Sequence, residues 1–353
     1  MAQETASPAT RSLPDWPKLT FSLTETDVVY RAAGDRRRVP IWSPGEYQPF
    51  ADIRVSPAAA FLSYGIGVFE GLKAQQTTDG RILLFRPDAN AERMQRSAER
   101  LVMPPFPVDE FVDACREVVL RNRRFVPPPE FGSFYLRPTQ HAIDPQLGLG
   151  PCNHFAVHIF GSPVGSYFRG APKSVRLRVL EQGRCPPGGT GWAKAMGNYA
   201  GAIWVAQEWK AKGYDDVLYL DSRHVEYLTE TSGSNPFVRL RSGTLVTPPL
   251  DTQILPGITR DSTLRIAREV LKVPVEERLI SFDEVMADGV EFFCTGTAWT
   301  LLSVAQIDRG EHDGERESQK KFESFELRNR LFDALRGIQT GEHEDPFGWT
   351  VEA

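Results

Sequence analysis

Strand-like and helix-like segments follow one another along this 353-residue chain without a regular strand–helix–strand repeat. That order argues against a doubly wound parallel sheet and for an α+β (mixed α/β) architecture. Thr78-Asp79-Gly80 is a turn signal, and residues 81–85 (RILLF) after it read as a strand. Residues 88–102 place Met94, Ala98, Leu101 and Val102 on one side, the pattern of a half-buried helix, and 108–119 reads as a second helix. Strands are expected at 134–137 and 155–160. The stretch 161–173 holds Pro, Gly and Ser and reads as a crossing between domains. The chain is thus expected to divide into a smaller N-terminal α/β domain, 1–165, and a larger C-terminal domain, 175–353. In the second, strand 175–180 leads into the loop 185–191 (CPPGGTG). Asn198 can cap a helix that runs to Lys212 and ends at Gly213. Strands 217–220 and 225–228, the small-residue turn 231–235 (TSGSN), a helix 258–271 opened by Pro256-Gly257, a late strand through Phe292 and Phe293, and a helix 319–335 complete the reading.

Composition removes several functional classes. The formal net charge is -5, and the run Arg36-Arg37-Arg38 beside Gly34 and Asp35 reads as a solvated turn, so no nucleic-acid partner is expected. Cys115, Cys152, Cys185 and Cys294 are far apart and form no CxxC. This is neither a disulfide framework nor a zinc site; no metal is expected, and a reducing, cytoplasmic setting fits. The N-terminal stretch is rich in Ser, Thr and Ala, as in a transit peptide, but Glu4 and Asp15 argue against one and it has no apolar stretch of the secretory type, so it reads as a disordered tail. No run of about 18 apolar residues exists to span a membrane.

The Gly-rich loop at 188–191 precedes Lys194, but Lys194 is followed by Ala195, so the phosphate-cradling loop of nucleotide-binding enzymes does not fit. Lys194 instead stands alone among Ala193, Ala195 and Met196. A lysine in apolar company loses its proton more easily, which suits a Schiff base with an aldehyde cofactor. Read alone, a lysine whose head reaches water fits the same residues. Residues 255–260 (LPGITR) put Pro and Gly before a helix, whose first N–H groups attract an anion. Arg93 offers a counter-charge or, alternatively, a solvated helix face. Glu230, ahead of the turn 231–235, is the best-placed acid to keep a pyridine nitrogen protonated, with a surface carboxylate as its plainer reading.

Residues 64–74 (YGIGVFEGLKA) resemble a signature of the branched-chain aminotransferases, a family of fold-type IV pyridoxal 5'-phosphate (PLP) enzymes. The likeness continues in order through 81–101, FYLRP (134–138), SPVGSYF (162–168), GGTGWAKAMGNYA (188–200), YLTETSGSNPF (227–237), TPPLDTQILPGITR (247–260) and FFCTGTA (292–298), and is similar in detail to the plant-type branch. The resemblance implies a two-domain fold whose C-terminal domain binds PLP. It implies that Lys194 carries the cofactor and moves the proton at the substrate α-carbon. By the same resemblance Glu230 pairs with the pyridine nitrogen and Tyr199 with the phenolic oxygen. Arg93, Ile258, Thr259 and Thr297 would hold the phosphate, and Leu255 would pack under the ring. Tyr64, Arg137 and the Thr297-Ala298 backbone would receive the substrate carboxylate, while Phe69, Tyr135 and Tyr167 would wall the side-chain pocket. It also implies a homodimer in which Tyr64, Leu147 and Leu149 act across the interface.

Three departures bear on the substrate: Gln75 and Gln76 after FEGLKA, Pro236 after Asn235, and Trp299 after Ala298. Trp299 has two expected placements, in the donor pocket or in the core behind its turn. The reading is PLP-dependent transamination of branched-chain L-amino acids with 2-oxoglutarate. Alternatives are a fold-type IV enzyme for an unusual or aromatic amino acid, a related lyase, or a binding protein on the same fold. An intact set of Lys194, Glu230, Arg93 and Tyr199 opposes the last.

Overall fold

The computed structural model describes residues 11–165, 174–310 and 318–353. The start of the expected tail, most of the crossing at 161–173, and Tyr167 lie outside the described residues. The chain falls into two compact units, one within residues 1–168 and 339–353, the other within 169–338.

The first unit runs β1 (Val28–Asp35), β2 (Glu46–Pro49), α1 (Ala60–Tyr64), β3 (Gly67–Phe69), β4 (Leu72–Gln76), β5 (Ile82–Phe85), α2 (Pro87–Arg100), α3 (Val108–Arg121), β6 (Ser133–Ala142) and β7 (His154–Val164). Pro87 starts α2 with a pre-set φ, and Asp88 sits in its first turn. Ala91, Met94 and Ala98 form its buried stripe and meet Phe111, Ala114 and Val118 of α3 in one core with Leu84, Phe134 and Phe155 of the sheet. Each large apolar side chain fully removed from water contributes about 1.5–3 kcal/mol. The helix stops two residues short of the expected 102 because Val102 turns left-handed, at φ 57°.

The second unit holds β8 (Val175–Leu180), α4 (Gly197–Ala211), β9 (Asp216–Leu220), β10 (Leu228–Thr231), β11 (Asn235–Leu240), β12 (Leu245–Thr247), α5 (Ile258–Arg265), β13 (Val275–Glu277), α6 (Phe282–Asp288), β14 (Gly289–Gly296), β15 (Thr300–Arg309), β16 (Ser318–Lys321) and most of α7 (Glu326–Thr340). Its sheet order is β10-β9-β8-β15-β14-β11-β12-β13, with β16 on β15. The chain then ends in β17 (Thr350–Glu352), which pairs antiparallel with β5. The first sheet therefore reads β17-β5-β4-β6-β7-β1-β2, with β3 on β6. The last residues, assigned by sequence to the C-terminal domain, thus belong to the first unit. No helix among the described residues is long and apolar enough to cross a membrane.

Four local expectations change. Asn198 does not cap α4, whose cap position is Met196. Its side chain braces the lysine loop instead, accepting from Thr190 Oγ1 at 2.6 Å and donating to the carbonyls of Thr190 at 2.7 Å and Ala193 at 3.0 Å. The strand expected at 225–228 forms at 228–231, because Val225 turns left-handed at φ 55° and residues 223–227 give their N–H groups to Asp221. The helix expected at 258–271 is α-helical only to Arg265 and then widens into a π-helical turn, Ile266–Val270. The terminal helix begins at Glu326 rather than 319. Buried Glu291 accepts the N–H groups of Leu327 and Arg328 and the Ser324 hydroxyl, a cap supplied from β14, while residues 318–321 are taken by β15.

Candidate active site

The second unit gathers one set of polar groups around a small cavity lined by Arg184, Gly191, Tyr199, Glu230, Gly233 and Leu255, among others. The loop that presents Lys194 is pinned at several points. Gly188 donates to Thr252 Oγ1 at 2.7 Å, and Gly191 must lack a side chain because a Cβ there would lie 2.3 Å from the Gln253 carbonyl oxygen. With Asn198 bracing the same loop, Lys194 is held at its base. Its Nζ donates to the Tyr199 hydroxyl at 3.0 Å. Lysine and phenol, five residues apart, are brought together by the entry into α4.

Glu230 ends up buried at the end of β10. Its Oε1 accepts from Arg184 Nε at 2.8 Å, from Arg184 Nη2, and from the Leu255 N–H at 3.4 Å. Arg184 Nη2 also donates to the Gly191 carbonyl at 3.1 Å, which couples the acid to the lysine loop. Burial pushes the Glu230 carboxyl up to about 7, against the opposing pull of the Arg184 guanidinium and the Leu255 N–H. A carboxyl so poised can share a proton with a nearby base around neutral pH.

Asn235 joins two turns of the site by donating to the Leu255 carbonyl at 3.0 Å. Its Oδ1 lies 2.1 Å from where a Gly257 Cβ would stand, so Gly257 is required. Gly257 precedes α5 and gives no side-chain cap to the helix's first N–H groups. Thr297 and Ala298 sit in the turn between β14 and β15, where Thr300 is left-handed at φ 67°. The Trp299 ring folds back over its own hairpin, within 3.2–3.3 Å of an ideal Gly296 Cβ.

In the first unit, Phe69, Tyr135 and Arg137 come together. The Arg137 guanidinium lies 5.0 Å from the Phe69 ring centroid and 5.3 Å from that of Tyr135, and its Nη2 donates to the Tyr135 hydroxyl at 3.2 Å. Phe21 packs edge-on against Tyr135 at 5.1 Å. Gly71 is glycine because a Cβ would stand 1.9 Å from the Tyr135 hydroxyl. Arg137 Nε is buried without a hydrogen-bond partner, and among the described residues no carboxylate pairs with this arginine. Arg93 is different: it is buried and gives Nε at 2.8 Å and Nη2 at 2.7 Å to Glu70, which is itself fully buried. Tyr64, at the end of α1, donates to the Leu147 carbonyl, while Leu147 is 92% and Leu149 79% exposed. Gln75 is buried in β4.

Arg184, Glu70, Asn235 and Phe21 were not singled out from sequence as site residues. Glu70 lay inside the FEGLKA stretch without a role. Arg184 had one usable signal, its place just before the Gly-rich loop. The partners of Asn235 and Phe21 are 20 and 114 residues away, with no local mark. Among the described residues no group of three or more His, Cys, Asp or Glu could hold a metal ion.

A lysine amine held against a phenol, and an acid at the floor of the same loop system, define a class of enzyme that anchors an aldehyde cofactor on a mixed α/β fold. The sequence matches amino-transferase class IV over residues 67–307, and the chain belongs to that family of PLP-dependent aminotransferases. It is 42% identical to the branched-chain-amino-acid aminotransferase 5, chloroplastic, of Arabidopsis thaliana, over 96% of this chain and 80% of that one. A methionine aminotransferase of the same plant is 38% identical over 96% of this chain and 93% of its own length. Among solved structures, the branched-chain amino acid aminotransferase of Escherichia coli superposes with a TM-score of 0.76 at 28% identity, covering 92% of this chain and 99% of that one.

Proposed function

We propose that this aminotransferase transfers the amino group of branched-chain L-amino acids to 2-oxoglutarate. The observation that carries the reading is the Lys194 amine at 3.0 Å from the Tyr199 hydroxyl, beside a cavity whose acid is Glu230. The donor set fits PLP: an amine for its aldehyde, a phenol for its phenolic oxygen, a buried acid for its ring nitrogen, and a helix start for its phosphate. Bound PLP supplies a carbon that links to amines and a ring that withdraws electrons from the substrate α-carbon.

The residues of the chain do the rest. Lys194 would hold the cofactor, and its free Nζ would carry the proton at the substrate α-carbon. Tyr199 keeps that amine in place. Glu230 holds the proton on the pyridine nitrogen, and Arg184 fixes the carboxylate in the orientation to do so. Ile258 and Thr259 N–H groups and the Thr297 hydroxyl bind phosphate oxygens, Leu255 supports the ring, and the Thr297-Ala298 backbone meets a substrate carboxylate. Family likeness assigns Arg93, its fork fixed by Glu70, to the phosphate as well. The same likeness assigns the substrate carboxylate to Arg137, which lacks a carboxylate of its own, and to Tyr64. Phe69 and Tyr135 form aromatic walls, and Tyr167 is assigned to the same wall by family likeness.

The functional unit is a homodimer in this reading. Leu147 and Leu149 support it, as do Ile203 and Trp204 on α4, 61% and 72% exposed, since large apolar side chains left to water favour a partner. Sedimentation that finds an active monomer refutes it. Four free, buried cysteines support a reducing cytoplasmic setting. A coupled assay with valine, leucine, isoleucine, methionine, phenylalanine and tryptophan as donors tests the substrate class. Turnover confined to donors outside the branched aliphatics would replace it with the aromatic or unusual-donor reading, and product release without amino transfer with a lyase.

A further inference from the structure

The Thr297-Ala298 turn joins β14 to β15, and the backbone beside it does not hold its shape unaided. Thr300, which leads out of the turn, is β-branched yet left-handed at φ 67°. Such a residue is a conformational outlier that persists only where its surroundings over-determine it. The next residue, Leu301, is fully buried, so its carbonyl needs a donor. On the side away from β14, however, β8 joins β15 only from Val304 onward. Beside Leu301 that edge has no strand among the described residues.

Arg328, in the first turn of α7, supplies the donor. Its Nη2 donates to the Leu301 carbonyl and its Nη1 to Asn329 Oδ1 at 3.1 Å, and its guanidinium carbon stands 4.6 Å from the Phe332 ring centroid. Nε is buried without a hydrogen-bond partner, and no carboxylate among the described residues is in ion-pair contact with this arginine. The helix that presents it is itself fixed to the hairpin. Glu291 of β14 accepts the Leu327 N–H at 3.1 Å and the Arg328 N–H at 3.2 Å. α7 is thus anchored on one strand of the hairpin and grips the other. A guanidinium withdrawn from water without an acid is destabilising in a way a neutral donor would not be. Arg328 stands in that state beside the turn that, in the aminotransferase reading, meets a substrate carboxylate.

We propose that Arg328 is a positioning residue for the reaction: by holding the Leu301 carbonyl it keeps Thr300 left-handed and so aims the Thr297-Ala298 backbone at the substrate carboxylate. The proposal rests on the aminotransferase reading and deepens it, since that reading assigns the turn to the carboxylate. Arg328 itself touches neither substrate nor cofactor in this scheme and acts only through the hairpin.

The experiment compares wild type, Arg328→Met and Arg328→Lys as PLP-loaded enzymes. The Kd of 4-methylpentanoate, the carboxylate skeleton of leucine without its amine, is read from the change in cofactor absorbance. It is set beside kcat and KM for leucine, PLP content and Tm. A misplacement of about 1 Å costs on the order of 10²-fold, so partial release of the turn is expected to cost about tenfold. In Arg328→Met, Kd and KM rise together by about that factor while kcat and PLP content stay near wild type, the pattern of lost ground-state binding. Arg328→Lys, which keeps a donor but not the fork, shows a smaller rise. Unchanged Kd and KM in both variants, whatever happens to Tm, overturn the proposal, because the contact is then structural alone. Falling PLP content and kcat at an unchanged Kd also overturn it. Should Arg328→Met fail to fold, Arg328→Lys decides: a raised Kd at wild-type PLP content supports the proposal, and a wild-type Kd overturns it. A wild type that transfers no amino group from leucine fails at the functional reading itself, a result seen before any variant is made.

Discussion

The molecule contains two buried arginine–glutamate pairs of similar geometry, Arg93–Glu70 in the first unit and Arg184–Glu230 in the second. In each, both side chains are almost fully shielded from water. They differ in what surrounds them. Glu70 receives two guanidinium nitrogens on separate oxygens, plus the Gly71 N–H at 3.2 Å, so its ion pair is bidentate. Glu230 receives both Arg184 bonds on a single oxygen, Oε1, and lines a cavity. The first pair fixes the Arg93 fork and ties α2 to the residue between β3 and β4. The second keeps a carboxylate at a cavity wall, where burial lifts it to about 7. A buried ion pair is therefore weak evidence of function until the unfilled space beside it is known.

That contrast can be broken experimentally. The largest effect is expected from Glu70→Ala, which strands the buried Arg93 charge and costs about 3–5 kcal/mol of folding stability. Denaturant titration checks it; a loss under about 1 kcal/mol would show that the first pair is not structural. Glu230→Gln keeps a hydrogen-bond acceptor for Arg184, so stability changes less. Its deficit is in turnover: the amide cannot hold the pyridinium proton, and kcat falls on the order of 10²–10³-fold with PLP retained. Near-normal kcat would remove Glu230 from its role.

Acid–base behaviour separates the units a second way. The Glu230 carboxyl, raised from 4.5 to about 7, binds its proton more tightly in the folded apoprotein than in the unfolded chain. Its contribution to stability is present at low pH and is lost as pH rises from about 4.5 to about 7. In the first unit, His141 and His158 stack 5.2 Å apart, and burial lowers both from 6.5 to about 4. Their contribution runs the other way, present above 6.5 and lost as pH falls towards 4. Thermal unfolding of the apoprotein from pH 4 to 8 should therefore change slope in opposite senses. In Glu230→Gln the decline between about 4.5 and 7 disappears, and in a His141→Leu/His158→Leu variant the acid loss is reduced. Parallel curves for variant and wild type would contradict the respective assignment.

Much of this was legible in the sequence because the information was local. The strand at Val175–Leu180, the helix starting at Val108, the lysine among alanines, and the Pro-Gly start of α5 each declare themselves within a few residues. Glu230 was legible by its place before a small-residue turn. What escaped depends on partners distant in sequence. Arg184 meets Glu230 across 46 residues, and Arg93 meets Glu70 across 23. The start of α7 is set by Glu291, 36 residues before Leu327, so helix periodicity could not find it. Asn198 misled for a related reason. It stands where a helix cap is favoured, but the loop's own carbonyls claim its amide.

The account depends most on Lys194 as the residue that carries PLP. Lys194 lies in a loop fixed by Asn198, Thr252 and Gly191, with its amine against Tyr199. Borohydride reduction of the PLP-loaded wild type, followed by peptide mass mapping, tests it directly. A pyridoxyl label on Lys194 alone is the predicted result; a label on another lysine, such as Lys73 or Lys210, with Lys194 unmodified would contradict it.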